Sequence, residues 1–505
     1  MKYEEKSVKY IFFIIIVLIL IISFFIVSNG NKKLAVDIEE HTKKEKYKKS
    51  LSIGITKLDT INPLLTNNSD VQYILKLVYK PLLDISKDFE LKPVLAKEYS
   101  RLNEKTYIIK LDENTFWHDG TEFSAEDVVF TIEAIKNKWQ SSVYYENVKN
   151  IESIKVLDEY TIKIFLKEEM PFFEYKLVLP ILPKHQYNEN YELIGEVPVG
   201  TGEYSFKSIS DSKIVLLSEN AKTKEIEIVL YDRNAKMYSD FMKQKLDIII
   251  TNNINYEEYI GTTWYKTVNI EGRNFNYLLI NQSNKFLKDV ALRKALNFAI
   301  NKEEIIQKVY NRKYKKQEFP KGRFNQESFD MVKATKILEE AGYSYKNNSW
   351  NKDGKILAFN LIVKNQNEKM QEVSEIIKSN LEDFGIRLNV VKLGDSNYEY
   401  SMKNNYYDLI LGETTLCLEP SFAEFIISEN KEINEILQDL LKIEKEEIKI
   451  KKIEELENIC KEEIPFIGLY VDTISLLLNK ELKGDFEANW YNVFYNINTW
   501  QVPIK

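Results

Sequence analysis

The stretch FWHDGTEFSAED, Phe116–Asp127, gathers one histidine, two aspartates and two glutamates into twelve residues. Such density invites a metal or catalytic reading, but the order of the residues points to scaffold. Ser124 precedes a helical run and Asp127 stands three residues on, the spacing of a capping box. Glu126 and Asp127 fall in the first turn, where carboxylates complement the helix dipole. His118-Asp119-Gly120 supplies a turn, with Gly120 free to take positive φ. Phe116, Trp117 and Phe123 read as apolar packing around that turn. The stretch therefore predicts strand, turn, cap and helix.

Outward from it the pattern stays mixed α and β. Tyr107–Leu111 reads as a strand, and Ile151–Leu166 as two alternating runs of a hairpin turning at Asp158-Glu159. Helices are expected over Ala125–Lys138, Val290–Ala299 and Ser328–Ala341, the last stopped by Gly342. From Leu357 the order is strand (LAFNLIV), helix (MQEVSEIIKSNLEDF), Gly385, strand (IRLNVVKL). A strand-helix-strand crossover favours parallel strands in one sheet. Tyr406–Glu413 is a further strand, and the Lys/Glu-rich stretch Ile433–Lys461 reads as solvated helix.

The chain has 505 residues, 44% of them hydrophobic, enough to bury a large core in more than one domain. A net charge of -7 argues against a nucleic-acid partner, which favours a basic face. The bias of 63 lysines over seven arginines carries no functional weight. Cys417 and Cys460 provide neither a disulfide framework nor metal spacing. The signatures G-x-x-x-x-G-K-[ST], G-x-S-x-G and H-E-x-x-H are missing, and GTGEY (Gly200–Tyr204) reads as a turn feeding a strand. The three histidines are far apart in sequence, and no nucleophile-base arrangement stands out. No enzyme activity and no cofactor are expected.

The 17-residue apolar run Ile11–Val27, interrupted only by Ser23 and preceded by Lys2, Lys6 and Lys9, reaches about 26 Å as a helix, close to a bilayer core. Its flanking charges place the N-terminus in the cytoplasm and the body outside. An uncleaved single-pass anchor is expected, with signal cleavage after Ser28 or Gly30 as the alternative. No cysteine lies near this run to accept a lipid. Asn31–Ser50 is charged and lacks apolar periodicity, as a tether would.

FWHDGTEFSAEDVVFTIEAIK also resembles the F-x-D-G-x-x-(T/S)-A-x-D-V segment of the extracellular solute-binding proteins of the oligopeptide/dipeptide/nickel family, the receptors of ATP-driven (ABC) importers. The resemblance runs in order from about Ile53 to Val502. It takes in INPLL, VYKPLLDISKDFELKPVLAKEY, PFFEYKLVLPILPKHQY, PVGTGEYSF with Glu203 where proline is usual, and NYLLINQSNKFLKDVALRKALNFAINKEEI. EEAGYS and DGK follow in their expected places. It implies an α/β, two-lobed fold of the periplasmic-binding-protein kind, large peptide-binding type, behind an N-terminal transmembrane segment. The implied division is 1–30 anchor or signal, 31–50 tether, 51–270 lobe I completed by 486–505, and 271–485 lobe II. Ligand would be enclosed between lobes by hinge closure.

The resemblance implies as partners a peptide or other small solute, the permease and ATPase subunits of an ABC importer, and the membrane through the N-terminal helix. The solute is expected to meet Thr66, Asn67, Asn68 and Ser69 on one side and Glu413, Thr414, Thr415 and Leu416 on the other. Peptide-binding members hold the ligand α-amine with an aspartate in G-W-x-A-D-Y-x-x-P. Here the matching positions, Gly412–Pro420, read GETTLCLEP, with Glu413 for tryptophan, Leu416 for the aspartate and Cys417 for tyrosine. A leucine cannot bond an ammonium, so ordinary peptide binding does not follow. Glu413 could supply the charge, although strand alternation points it to the opposite face from Leu416. The competing expectation is a degenerate receptor fold serving as a surface sensor or interaction partner, without transport.

Overall fold

The structure is a computed structural model that describes residues 46–261, 264–320, 329–422, 426–443 and 445–504. The expected anchor Ile11–Val27 and most of the tether lie outside these residues. Among the described residues no helix is long and apolar enough to cross a membrane. Lys46–Tyr47 pairs antiparallel with Pro503–Ile504 in one small unit, and Lys49–Val502 forms a second, large unit.

In the large unit, strands β1 (Ser50–Thr56), β2 (Glu225–Tyr231), β3 (Ile248–Thr251), β4 (Tyr265–Ile280), β5 (Ala358–Lys364), β6 (Arg387–Leu393), β7 (Leu409–Thr415) and β8 (Phe466–Asn479) belong to one sheet. They lie in the order β6-β5-β7-β4-β8-β3-β1-β2, continued by Lys213–Leu217 and Ser205–Ile209, with Lys315–Lys316 alongside β8. β1 runs parallel to both β2 and β3, and β5 runs parallel to both β6 and β7. The long strands β4 and β8 are antiparallel and join these two parallel patches. A separate four-stranded antiparallel sheet holds Ala96–Asn103, Thr106–Leu111, Thr161–Leu166 and Ile151–Asp158, in that spatial order.

Helix α1 (Ser69–Leu75) follows β1, and α2 (Ala125–Asn137) carries the end of the quoted stretch. A one-turn helix α3 (Phe173–Lys176) follows further along the chain, beyond the short helix Tyr145–Val148. The crossover expected from Leu357 onward forms as α4 (Glu368–Phe384) between β5 and β6. Its Met370, Val373, Ile377, Leu381 and Phe384 recur at spacings of three and four and are buried, as an amphipathic helix over a sheet requires. Asn367 caps its start and Gly385, at φ 92°, ends it. A Cβ at Gly385 would sit 2.5 Å from the Tyr345 ring, a second reason for glycine.

The quoted stretch folds as strand-like pairing, turn and helix. Phe116 bridges Glu122, Gly120 takes φ 86°, and the Asp127 carboxylate accepts the backbone N–H of Ser124 at 2.9 Å. Asp127 also accepts Trp117 Nε1–H at 3.3 Å and the Lys184 N–H at 2.8 Å. Trp117 and Phe123 are core residues, but Phe116 is 51% exposed, so it does not pack as its apolar side chain suggested. His118 is scaffold in a specific way. Its Nδ1 accepts the Gly200 N–H at 3.1 Å while Nε2 lies 3.0 Å from the Gly202 carbonyl, which fixes the tautomer with hydrogen on Nε2. Burial holds its pKa down. The Gly200–Gly202 turn presses on the backbone after α1: a Cβ at Gly200 would fall 1.9 Å from the Val78 carbonyl oxygen.

The charged stretch Ile433–Lys461 departs from expectation. It forms two helices, α5 (Lys431–Leu440) and α6 (Glu446–Glu463), and they are not solvated all round. Ile433, Ile436 and Leu440 from α5, and Leu456 and Cys460 from α6, are core, and Lys449 is only 1% exposed. A dense Lys/Glu composition masked a thin apolar stripe. Cys417 is exposed and Cys460 buried.

Candidate functional site

Strand β4 contains the isolated Gly272, and the sheet breaks there. Glu271 pairs with Thr473 and Phe275 with Val471, so Gly272, Arg273 and Asn274 stand opposite the single residue Asp472. This bulge bends the strand and frees side chains that a regular ladder would bury in alternation. Glycine is required, since a Cβ at 272 would lie 2.1 Å from Asp472 Oδ1. The Asp472 carboxylate turns into the bulge and accepts the Asn274 N–H at 2.8 Å and its Nδ2–H at 2.9 Å. On the far side β4 pairs with β7, where the Leu416 N–H donates to the Arg273 carbonyl at 2.7 Å and the Thr415 hydroxyl to Asn274 Oδ1 at 3.1 Å.

Around the bulge stand three carboxyls and one guanidinium. Burial raises the pKa of Asp472, against the hydrogen bonds from Asn274 and the charge of Arg273. Glu413, exposed as a residue, is raised by the partial desolvation of its carboxyl among the groups at the bulge, helped by the charge of Asp472 and opposed by Lys364 and Asn276. Asp70, in the first turn of α1, is pushed up to about 6 by burial. It makes no ion pair or side-chain hydrogen bond among the described residues. The ring of Tyr73, one turn on, feels Asp70, Arg273 and Asp472 together, which places α1 at the bulge. The Arg273 guanidinium lies 5.6 Å from the Trp490 ring centre, and the Tyr73 hydroxyl donates to the Trp490 carbonyl at 2.9 Å. Tyr310 and Tyr314 stack at 3.9 Å, and the Tyr310 and Tyr470 hydroxyls are 3.0 Å apart, both raised chiefly by burial and further by the charge of Glu413. Such a site can bind polar or charged solutes by charge, hydrogen bonding and ring contact. It holds no nucleophile-base pair, and no His/Cys/Asp/Glu group suited to a metal ion occurs among the described residues.

The expected site residues divide. Thr66 is buried and its hydroxyl donates to Asp59 at 2.7 Å, and the Asn67 N–H donates to the same carboxylate at 2.9 Å. Asn68 caps α1, and its amide donates to the Thr56 and Lys57 carbonyls. Ser69 is exposed at the helix start. Glu413 and Thr415 are exposed beside the bulge and Thr414 is half-buried. Leu416 is 7% exposed and part of the main apolar core, so its side chain is not offered to solvent. The sequence reading missed Asp70, Tyr73, Arg273, Asp472 and Trp490. One signal was there, a lone glycine inside a strand pattern, which commonly marks a bulge.

Compared with known proteins, the fold is that of the periplasmic solute-binding proteins. It matches the nickel ABC transporter structure from Bacillus halodurans with TM-score 0.75 at 20% identity, over 90% of this chain and 100% of that one. It matches the unliganded open form of MppA, a periplasmic murein tripeptide-binding protein, with TM-score 0.75 at 17% identity, over 91% and 98% of the two chains. Residues 90–418 match the bacterial extracellular solute-binding proteins, family 5 middle region, and the chain belongs to that family. It is a solute-binding protein and not an enzyme. The glutathione-binding protein GsiB of Escherichia coli strain K12 is 25% identical over 473 residues, covering 84% of this chain and 89% of GsiB.

Proposed function

We propose that this protein is the substrate-binding component of an ABC-type importer and captures a peptide or other small solute at the β4 bulge. The observation that carries the reading is the bulge itself. It sets Arg273 on β4 and Asp472 on β8, the two strands that join the parallel patches, beside Glu413 on β7 and with Asp70 of α1 opposite. Relatives are named for glutathione, nickel and murein tripeptide, all small polar solutes. Residues 51–270 with 486–505 would form lobe I and 271–485 lobe II, closing by a hinge in β4 and β8. Of the expected contacts, Ser69, Glu413 and Thr415 remain candidates by their exposure and Thr414 as a half-buried neighbour, with Thr66, Asn67 and Asn68 shaping the loop behind them. Leu416 leaves no carboxylate at the family's amine position, and Glu413 with Asp70 would take over that charge.

The body would lie on the extracellular face, tethered through Ile11–Val27, and deliver solute to permease and ATPase subunits. Protease added to intact cells should cut in the Lys43–Lys49 stretch and release the body. An intact mature chain beginning at Asn29 or Asn31 would refute the tether. The binding reading is tested by native mass spectrometry of the full chain from mild detergent, followed by titration calorimetry with the solute it releases. Arg273→Ala and Glu413→Gln should each weaken that solute at least ten-fold. Wild-type protein that releases no small molecule, and binds neither di- and tripeptides nor glutathione, would favour the sensor reading.

A further inference from the structure

One ring away from the bulge the structure forms a half-open cavity of about 270 Å³ between the 88–90 turn, Tyr175, the segment after β7 and helix α6. Phe89 connects the two places, lining the cavity while its ring contacts Trp490 at 5.4 Å, and Trp490 in turn carries Arg273. Phe89 holds this position at φ 63°, in the left-handed region that a bulky side chain enters only at a cost. The body of the cavity is apolar, with Phe89, Tyr175, Phe422 and Ile453 among its walls. Its charged wall residues are Asp88, Glu90, Glu446, Glu454 and Glu457, and among the described residues no lysine, arginine or histidine lines it. Glu446 is engaged by Lys449 and by the Tyr175 hydroxyl. Asp88 and Glu454 form no ion pair among the described residues.

An apolar cavity rimmed by carboxylates alone selects a ligand group with an apolar body and a positive end. A neutral group would forgo the charge, and an anion would meet repulsion from Asp88 and Glu454. We propose that this cavity is the side-arm subsite of the solute and takes an amphiphilic cation, an aliphatic or aromatic arm ending in an ammonium or guanidinium. Asp88 and Glu454 receive the cation. The proposal rests on the solute-binding reading and adds the chemical class of solute.

The test uses full-length protein in mild detergent and three probes of one shape: 4-phenylbutylamine, 4-phenylbutanol and 4-phenylbutyrate. Calorimetry should give the amine an affinity at least five-fold above the alcohol, with no measurable binding of the acid. Glu454→Gln and Asp88→Asn should each remove much of the amine's advantage and leave the alcohol unchanged. Ile453→Trp should fill the cavity and abolish binding of both, with circular dichroism confirming the fold. An acid that binds as well as the amine, or an amine advantage untouched by Glu454→Gln and Asp88→Asn, overturns the proposal. If the released solute still binds through Arg273 and Glu413 while no probe enters, the subsite alone fails. If neither solute nor probe binds, both readings fall.

Discussion

Lys449 is a buried charge away from the β4 bulge. It is 1% exposed on α6 and donates to Glu174 of α3 at 2.8 Å and to Glu446 at 3.2 Å, with the rings of Phe172 and Tyr175 about its ammonium. The Glu174 side chain is itself only 10% exposed. At an effective dielectric of about 20, two charges at this distance attract by about 6 kcal/mol, but taking both out of water cancels much of that. The net worth of the pair is therefore small, while the cost of breaking one side is large. Lys449→Met should destabilise by about 3–5 kcal/mol, because Glu174 is left charged and buried without a partner. Lys449→Met with Glu174→Leu should recover at least about 2 kcal/mol of that loss, since two apolar side chains fit where two charges stood. The assay is urea unfolding of the full chain in non-ionic detergent, followed by tryptophan fluorescence and far-ultraviolet circular dichroism, whose coincidence checks for one transition. The surface pair Lys184–Glu126, both 54% exposed, is the control and should contribute under about 1 kcal/mol. A Lys449→Met loss below about 1 kcal/mol, or a double variant no better than the single, would refute the argument. The same pair, with Lys176–Glu419 at 2.7 Å, ties residues 174–176 to 419–449.

Three further outcomes follow from the geometry. Asp70 titrates near 6 in the native chain and near 3.8 when unfolded, so the native state holds more protons between those values and stability falls as pH rises through the window. Asp70→Asn should flatten that slope and stabilise by about 1–2 kcal/mol at pH 7.5, read as melting temperature against pH; an equal loss at every pH would contradict it. Gly272→Ala should cost about 1–3 kcal/mol and at least ten-fold in solute affinity, because the new Cβ displaces the Asp472 carboxylate; calorimetry showing unchanged affinity would mean the bulge does not shape the site. Asp127→Ala should lose about 2–4 kcal/mol in urea unfolding, through three unmatched N–H groups, with solute affinity within two-fold; lost binding in a folded variant would make the quoted stretch part of the site.

What the sequence by itself determined was whatever short range decides. The turn at Gly120, the first turn of α2, the crossover through α4 and its stop at Gly385 all depend on residues within a few positions of one another, and each formed as read. Ordered motifs along most of the chain were enough for the family. Tertiary structure alone decided what depends on distant partners. Asp472 meets Asn274 across 198 positions and Lys449 meets Glu174 across 275, so nothing near either residue announces its role. The Lys/Glu-rich α5 and α6 read as solvated because their apolar stripe is short, and burial there is set by what packs against it. Leu416 and Glu413 show the same division. Strand alternation predicted that they face apart, but only the sheet's neighbours fix which side is core and which holds the charged bulge, because alternation gives two faces and no preference between them.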